Sequence, residues 1–284
     1  MRKPSHWVLK SILNQCAPDQ KSALERYLSK EERTALATIE PPEWTLPSEE
    51  RPLEDIVHWS WLLPALKSHT PEEQKLFLSA LPQSIFYPLR DAVTMPPFEP
   101  EQLGAAAQKF LKTTLAKTLL DEQRTLLPIP FLPPSPLNRL AHLKKNELIR
   151  LIDFLALFDL ALELKQIVDT KILKKIYRFL SAEEKLFLRT ASKDITPFAT
   201  TRLKFEDTDG SKESFRNLLH KRGLARLGAA LSEQSSDLCW YIRHQLDIGR
   251  GTLLAKFYSV NTPQEIQEAI QHQVEIVLEH EAVQ

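Results

Sequence analysis

The chain has 284 residues, enough for two ordinary domains or one elongated helical array, and it is 43% hydrophobic and 26% charged. These proportions exclude wholesale disorder, and a formal net charge of zero removes bulk attraction to nucleic acid or anionic membrane. Only six glycines occur, few for hairpin-rich or phosphate-loop folds, while Leu, Ala, Lys, Glu and Gln dominate, so an all-α protein is expected.

The opening residues Met1-Arg2-Lys3-Pro4-Ser5-His6 lead into a short mixed helix and lack the apolar run of a secretory signal. Cys16 and Cys239 lie far apart with no CxxC motif, which excludes a disulfide scaffold and fits two reduced thiols in a cytoplasmic protein. Residues 24–36 read LERYLSKEERTAL, residues 66–78 LKSHTPEEQKLFL, and residues 176–188 IYRFLSAEEKLFL. In each, an apolar-periodic helix ends before Ser or Thr, and a glutamate pair opens a second helix. Ser29, Thr70 and Ser181 are placed as N-caps, with Glu32, Glu73 and Glu184 three residues later, which is the capping-box spacing. Pro71 occupies a first helical position, where its missing N–H costs nothing. A weaker fourth unit at 227–242 keeps Ser232 as its cap but has Ser235 in place of the glutamate. Such units expose apolar faces that a neighbour must bury, so stacked helix-turn-helix repeats are expected.

Prolines divide the chain. Pro41-Pro42, Pro47 and Pro52 form one break, Pro96-Pro97 and Pro100 a second, and PIPFLPPSP at 128–136 the strongest. Proline removes a donor and biases its predecessor toward extended backbone. The expected organisation is an N-terminal helical repeat region at about 1–95, a connecting helix at 101–127, a semi-rigid Pro-rich linker at 128–136, and a C-terminal helical repeat domain at 137–284. The alternative is that the prolines merely cross one continuous domain. Leu151 to Leu164 is the most apolar stretch, but Asp153, Asp159 and Glu163 interrupt it, and at about 1.5 Å per residue it is too short to span a bilayer. It reads as a core helix pair.

Residues 59–82, WSWLLPALKSHTPEEQKLFLSALP, resemble the middle repeat of the flagellar motor switch protein FliG through Leu62, Leu63, Leu66, Pro71, Phe77, Leu78, Leu81 and Pro82. Residues 167–188 are similar to that family's C-terminal armadillo-like repeat: Val168, Asp169, Thr170, Lys171 and Leu173 stand at its helix entry, and Glu183-Glu184 at its acidic turn. LARLGAAL at 224–231 looks like a further degenerate copy. The family's Glu-His-Pro-Gln signature is replaced by Ile56-Val57-His58-Trp59, and its charged torque helix by a segment with Pro197 and Asp207-Thr208-Asp209-Gly210, which speaks against a torque role. The resemblance implies a non-catalytic cytoplasmic scaffold with stacked armadillo-like helix pairs. It would contact ring or sorting-platform proteins of a type III secretion or flagellar-type machine, and reach the inner membrane only through partners. The alternative is a cytoplasmic helical module binding nucleic acid or a regulatory protein.

No cofactor, metal or catalytic site is expected. Asp207-Thr208-Asp209-Gly210 has Arg216 where a calcium loop needs glutamate, and reads as a turn. His220, Cys239 and His244 match no zinc spacing, and neither cysteine has a base or oxyanion signal beside it. No glycine-rich phosphate motif occurs. The residues singled out are therefore partner-binding ones. Lys171, Lys174, Lys175 and Arg178 recur at i, i+3, i+4 and i+7 and share one helix face, opposite Leu173, Ile176, Tyr177 and Leu180. Arg222 and Arg226 extend the basic set, and Arg243 with Arg250 form another cluster. A solvated face, a dock for an acidic partner helix, and nucleic-acid backbone binding all remain open for this stripe. Trp59 and Trp61, two residues apart, cannot both be buried on one helix face, so one is either an exposed anchor or packed on the preceding Pro-rich loop.

Overall fold

A computed structural model describes residues 9–10, 12–14, 16, 18–38, 56–120, 126–193, 210–258 and 263–282. Among the described residues the regular structure is helical. The helices are α1 (Pro18–Glu25), α2 (Lys30–Ala37), α3 (Leu63–Lys67), α4 (Pro71–Ser79), α5 (Gln83–Ala92) and α6 (Ala105–Thr118), then α7 (Lys145–Leu164), α8 (Thr170–Phe179), α9 (Ala182–Ala191), α10 (Lys212–Leu231), α11 (Ser236–Gln245), α12 (Ile248–Phe257) and α13 (Gln264–Ala282). Single 3-10 segments cover Trp59–Trp61, Ile129–Phe131 and Pro136–His142.

The three expected junctions all form. Glu32 accepts from Ser29 N–H at 2.9 Å, Glu73 from Thr70 N–H at 2.9 Å, and Glu184 from Ser181 N–H at 2.7 Å. The reciprocal bonds run from the glutamate N–H groups to Ser29 Oγ (3.1 Å), Thr70 Oγ1 (3.3 Å) and Ser181 Oγ (3.1 Å). Two amides that a helix start leaves without partners are thereby satisfied at each hairpin. The fourth junction falls one turn later than expected. Ser235, not Ser232, caps α11 by accepting from Leu238 N–H, while Ser232 closes the end of α10. A serine can cap only where the chain leaves helical geometry, and α10 continues to Leu231.

The larger core is built around α7. The expected helix pair at 151–164 is one 20-residue helix, with its 154–161 run buried on all sides. It packs against α9, α10 and α13, while α10 also contacts α12 and α13. Where α10 crosses α7, Gly223 brings the backbones so close that a Cβ would stand 1.8 Å from Ile152 O. One turn on, the fully buried Arg226 places a guanidinium nitrogen 2.7 Å from Asp159 Oδ1, with another 2.5 Å from Gln273 Oε1 of α13. Its guanidinium also lies 5.8 Å from the Phe158 ring centroid. Phe187 of α9 meets Phe154 and Phe158 edge-on at 5.0 and 5.7 Å.

A smaller core gathers Leu62, Leu66, Phe77, Leu78, Phe86, Leu89 and Leu115 from the 62–115 segment. The expected connecting helix is shortened to α6, whose Leu111 and Leu115 pack into this core together with Leu119 just past its end. The Pro-rich segment is not a free linker. Phe131 is 8% exposed and Leu132 fully buried, Leu127 O accepts from Tyr241 Oη at 2.9 Å, and Ser135 Oγ donates to Gln234 Oε1 at 2.6 Å. Leu132 and the partly buried Ile129 belong to the larger core, because leaving such apolar side chains in water costs more than the prolines' extended backbone gains. Among the described residues of 9–38, only Leu13 and Leu36 are buried. The α3–α4 unit thus lies in the smaller core and the α8–α9 unit in the larger one. The packing is consistent with a helical-repeat architecture.

The end of α5 carries strain. Met95 N–H bonds Arg90 O and Thr94 N–H bonds Asp91 O, the paired pattern of a Schellman cap, which sets Thr94 at φ 55°. A β-branched residue there is disfavoured by about 1–2 kcal/mol, against about 0.5–1 kcal/mol of extra unfolded-state entropy for glycine. Thr94→Gly is expected to stabilise the protein by about 0.5–1 kcal/mol, read as a higher urea midpoint at unchanged slope. At the core, Asp159→Ala strands a buried guanidinium and is expected to cost about 3–5 kcal/mol, whereas the double change Asp159→Leu, Arg226→Met recovers most of that loss in the same titration.

Candidate functional site: a basic helix face and a seam between two cores

The basic stripe lies on α8, where Ile176 and Leu180 are buried and Lys171, Lys174, Lys175 and Arg178 point to solvent. Tyr177, expected on the apolar face, is 45% exposed instead. Asp169 caps this helix by accepting from Lys171 N–H at 2.7 Å. The acids of the α8–α9 hairpin are all engaged: Asp169 in that cap, Glu183 with Arg150, and Glu184 with Arg216. Burial works against ionisation of Glu184, but hydrogen bonds from Arg216 and the Ser181 N–H outweigh it and hold the carboxyl below its ordinary range. Among the described residues, none of the four stripe cations forms an ion pair. Lys185 and Arg189 of α9 are exposed as well, so the free charge of this hairpin is positive throughout.

The remaining candidates do not join this face. Arg226 lies in the core on Asp159, so its expected partner-binding role is withdrawn; a guanidinium on the inner side of α10 is reached only by unfolding. Arg222 is half-buried on the same helix. Trp59 and Trp61 are both half-buried, and neither is an exposed anchor. They sit on a single 3-10 turn, which sends Trp59 to the smaller core and Trp61 to the larger. The Pro-rich loop before Trp59 and the Asp207-Thr208-Asp209 turn lie outside the described residues. Arg243 stacks its guanidinium 4.9 Å from the Trp61 ring, and Arg250 bonds Asp247 at 2.5 Å.

Sequence reasoning missed the seam. Trp61 Nε1–H donates to Leu246 O at 2.8 Å, His58 N–H to His244 O at 2.7 Å, and Ile248 N–H to Ser60 Oγ at 2.9 Å. The Trp61 ring lies 4.3 Å from His244, which stacks on Trp240 at 4.0 Å. Gly251 gives Trp61 its seat, since a Cβ there would stand 2.7 Å from the ring and 2.4 Å from Arg243 O. These partners are 185 or more residues apart, and nothing local in the sequence marks them.

His58 links the seam to α7. Lys145 Nζ, which as an ammonium only donates, lies 2.7 Å from His58 Nε2, so that nitrogen accepts. The proton is then on Nδ1 and donates to Ser60 Oγ at 2.8 Å; the longer Ser60 N contact at 3.3 Å is not a hydrogen bond in that tautomer. Burial, then the Lys145 charge, bring His58 down to about 4 against partial support from Asp247. Burial likewise draws the Lys145 amine below its ordinary value. A second chain runs from Arg250 Nε–H to His220 Nε2 at 2.9 Å and from His220 Nδ1 to Asp153 at 2.7 Å. Cys239 points its thiol at Leu231 O, 3.3 Å away. Among the described residues no group of three or more His, Cys, Asp or Glu is placed to hold a metal, and no helix is long and apolar enough to cross a membrane. Compared with protein-family models, with characterised protein sequences and with solved structures, the chain gives no match.

A histidine whose folded value lies below its unfolded 6.5 contributes stability that is complete above pH 6.5 and is lost as pH falls toward 4. The carboxylates held low, such as Glu184, lose theirs only below their own unfolded value of 4.5. Urea midpoints between pH 7 and pH 5 are therefore expected to fall for the natural chain and to stay flatter for His58→Gln, whose amide oxygen still accepts from Lys145.

Proposed function

We propose that this protein is a non-catalytic helical interaction module that docks an acidic, amphipathic partner helix on the exposed face of α8. The observation that carries the reading is the arrangement of Lys171, Lys174, Lys175 and Arg178: four solvent-facing cations on one helix whose hairpin has every carboxylate already engaged. A surface of one sign steers a partner of the opposite sign and fixes its register. The rigid base comes from the capping box at Ser181 and the Glu184–Arg216 pair, which hold the hairpin on the larger core.

The finer reading places the module in a cytoplasmic scaffold of a type III secretion or flagellar-type apparatus, in contact with ring or sorting-platform components. Its support is the likeness of residues 59–82 and 167–188 to FliG repeats, together with the capping boxes at Thr70 and Ser181. Fold likeness does not fix function, so the partner has to be caught directly. Co-purification from a host with such a machine is expected to recover identified ring or sorting-platform proteins. Lys174→Glu, Lys175→Glu and Arg178→Glu together are expected to reduce that recovery roughly tenfold or more, with the helical circular dichroism unchanged. An unchanged partner set would reduce the stripe to solvated surface. Oligonucleotide binding with steep salt dependence would favour the nucleic-acid alternative instead.

A further inference from the structure

The last helix, α13, carries the charge complement of the basic face on α8. From Gln264 to Ala282 it has no Lys or Arg. Ile270, Val274, Val277 and Leu278 are buried in the larger core, so its apolar side is already used. On the other side stand Glu265, Glu268, Glu275 and Glu279, at i, i+3, i+10 and i+14, in one narrow row. Glu265, Glu268 and Glu279 are exposed, and Glu275 is half-buried. Gln264 Nε2–H donates to Glu268 at 2.9 Å, and His272, in the same row, lies 3.6 Å from Glu275. Among the described residues, none of the four carboxylates is paired with a Lys or Arg.

The two rows match in length and border. Lys171 to Arg178 and Glu268 to Glu275 are both i to i+7 steps, about 10 Å of helix. Tyr177, 45% exposed, lies one turn from Lys174, and half-buried Ile276 lies one turn from Glu279. Within one copy the rows do not pair: among the described residues no ion pair joins α8 to α13. The formal net charge of zero removes long-range repulsion between copies, while the segregation of signs onto two helices leaves a local attraction.

Resting on the reading of α8 as a dock for an acidic helix, we infer that its occupant is a second copy of this chain. The glutamate row of α13 in one copy lies on Lys171, Lys174, Lys175 and Arg178 of another, with Ile276 against Tyr177. Reciprocal use of both rows closes a two-fold dimer, whereas one-way use continues into a ring or filament. Opposite charges set the register, and salt loosens the contact by screening them.

Sedimentation velocity of the full chain over a concentration series, at about 0.1 M and about 1 M salt, tests this. Self-association is expected at the lower salt and to be roughly tenfold weaker or more at the higher. Reversal of α8 (Lys171→Glu, Lys174→Glu, Lys175→Glu, Arg178→Glu) is expected to leave a monomer with unchanged helical circular dichroism. Reversal of α13 (Glu265→Lys, Glu268→Lys, Glu275→Lys, Glu279→Lys) is expected to do the same. A mixture of the two reversed chains is expected to associate again, since one then carries two acidic rows and the other two basic ones. Carbodiimide, which couples touching carboxylates and amines, checks the natural chain without any variant. Glu268 or Glu275 is expected to be joined to Lys171, Lys174 or Lys175 of an isotope-labelled second copy. A natural chain that stays monomeric at about millimolar concentration overturns the proposal. So does association that either reversal leaves unchanged, or reversed chains that stay apart when mixed. Should the natural chain be monomeric while the α8 reversal still cuts recovery of a foreign partner, the dock on α8 stands and only self-association falls.

Discussion

The close crossing of α7 and α10 is the constraint on which the rest of the structure depends. Gly223 lets α10 approach until its backbone touches that of Ile152, and at that distance a charged side chain one turn away has no route to water. Arg226 is therefore committed to Asp159, and the pair is commited together with Gln273, so that α7, α10 and α13 are fixed in register by one polar node inside an apolar core. Buried ion pairs add little net stability, because desolvation offsets most of the attraction. What this one does is make other packings of the same three helices costly, since each would strand a charge.

The seam follows from that node. With α10 fixed, α12 is set through the contact of Gly228 with Phe257, and the α11–α12 junction presents its carbonyls and stacked His244 to the 58–61 turn. Trp61 and Ser60 bond there, and Trp59 turns back into the smaller core. One short segment thus serves two cores. Polar groups concentrate where the cores meet because neither interior can accept them without partners, and the seam supplies partners from both sides. The α8–α9 hairpin, by contrast, engages its acids in a cap and two ion pairs and turns its cations outward, which separates the basic face from the seam.

Local grammar was legible from residues. Ser29, Thr70 and Ser181 were placed as caps from a three-residue spacing, and a cap depends only on neighbours within one turn. The exposure of Lys171, Lys174, Lys175 and Arg178 followed from the same periodicity. The errors arose where distant chain intervened. Ser232 looks like a cap until α10 is seen to continue, PIPFLPPSP reads as a linker until Phe131 and Leu132 find a core, and Arg226 sits in a basic-looking stretch until Asp159 approaches from 67 residues away.

By itself, then, the sequence determined that the chain is helical, where the paired helices begin and which side of α8 faces water, because these are settled by interactions reaching no further than one turn. Only the tertiary structure decided that Arg226 is interior, that the two tryptophans divide between cores, and that His58 and Lys145 meet. Those outcomes are set by helix crossings and by the burial of groups far apart along the chain, and no local pattern encodes the distance at which two helices come to rest.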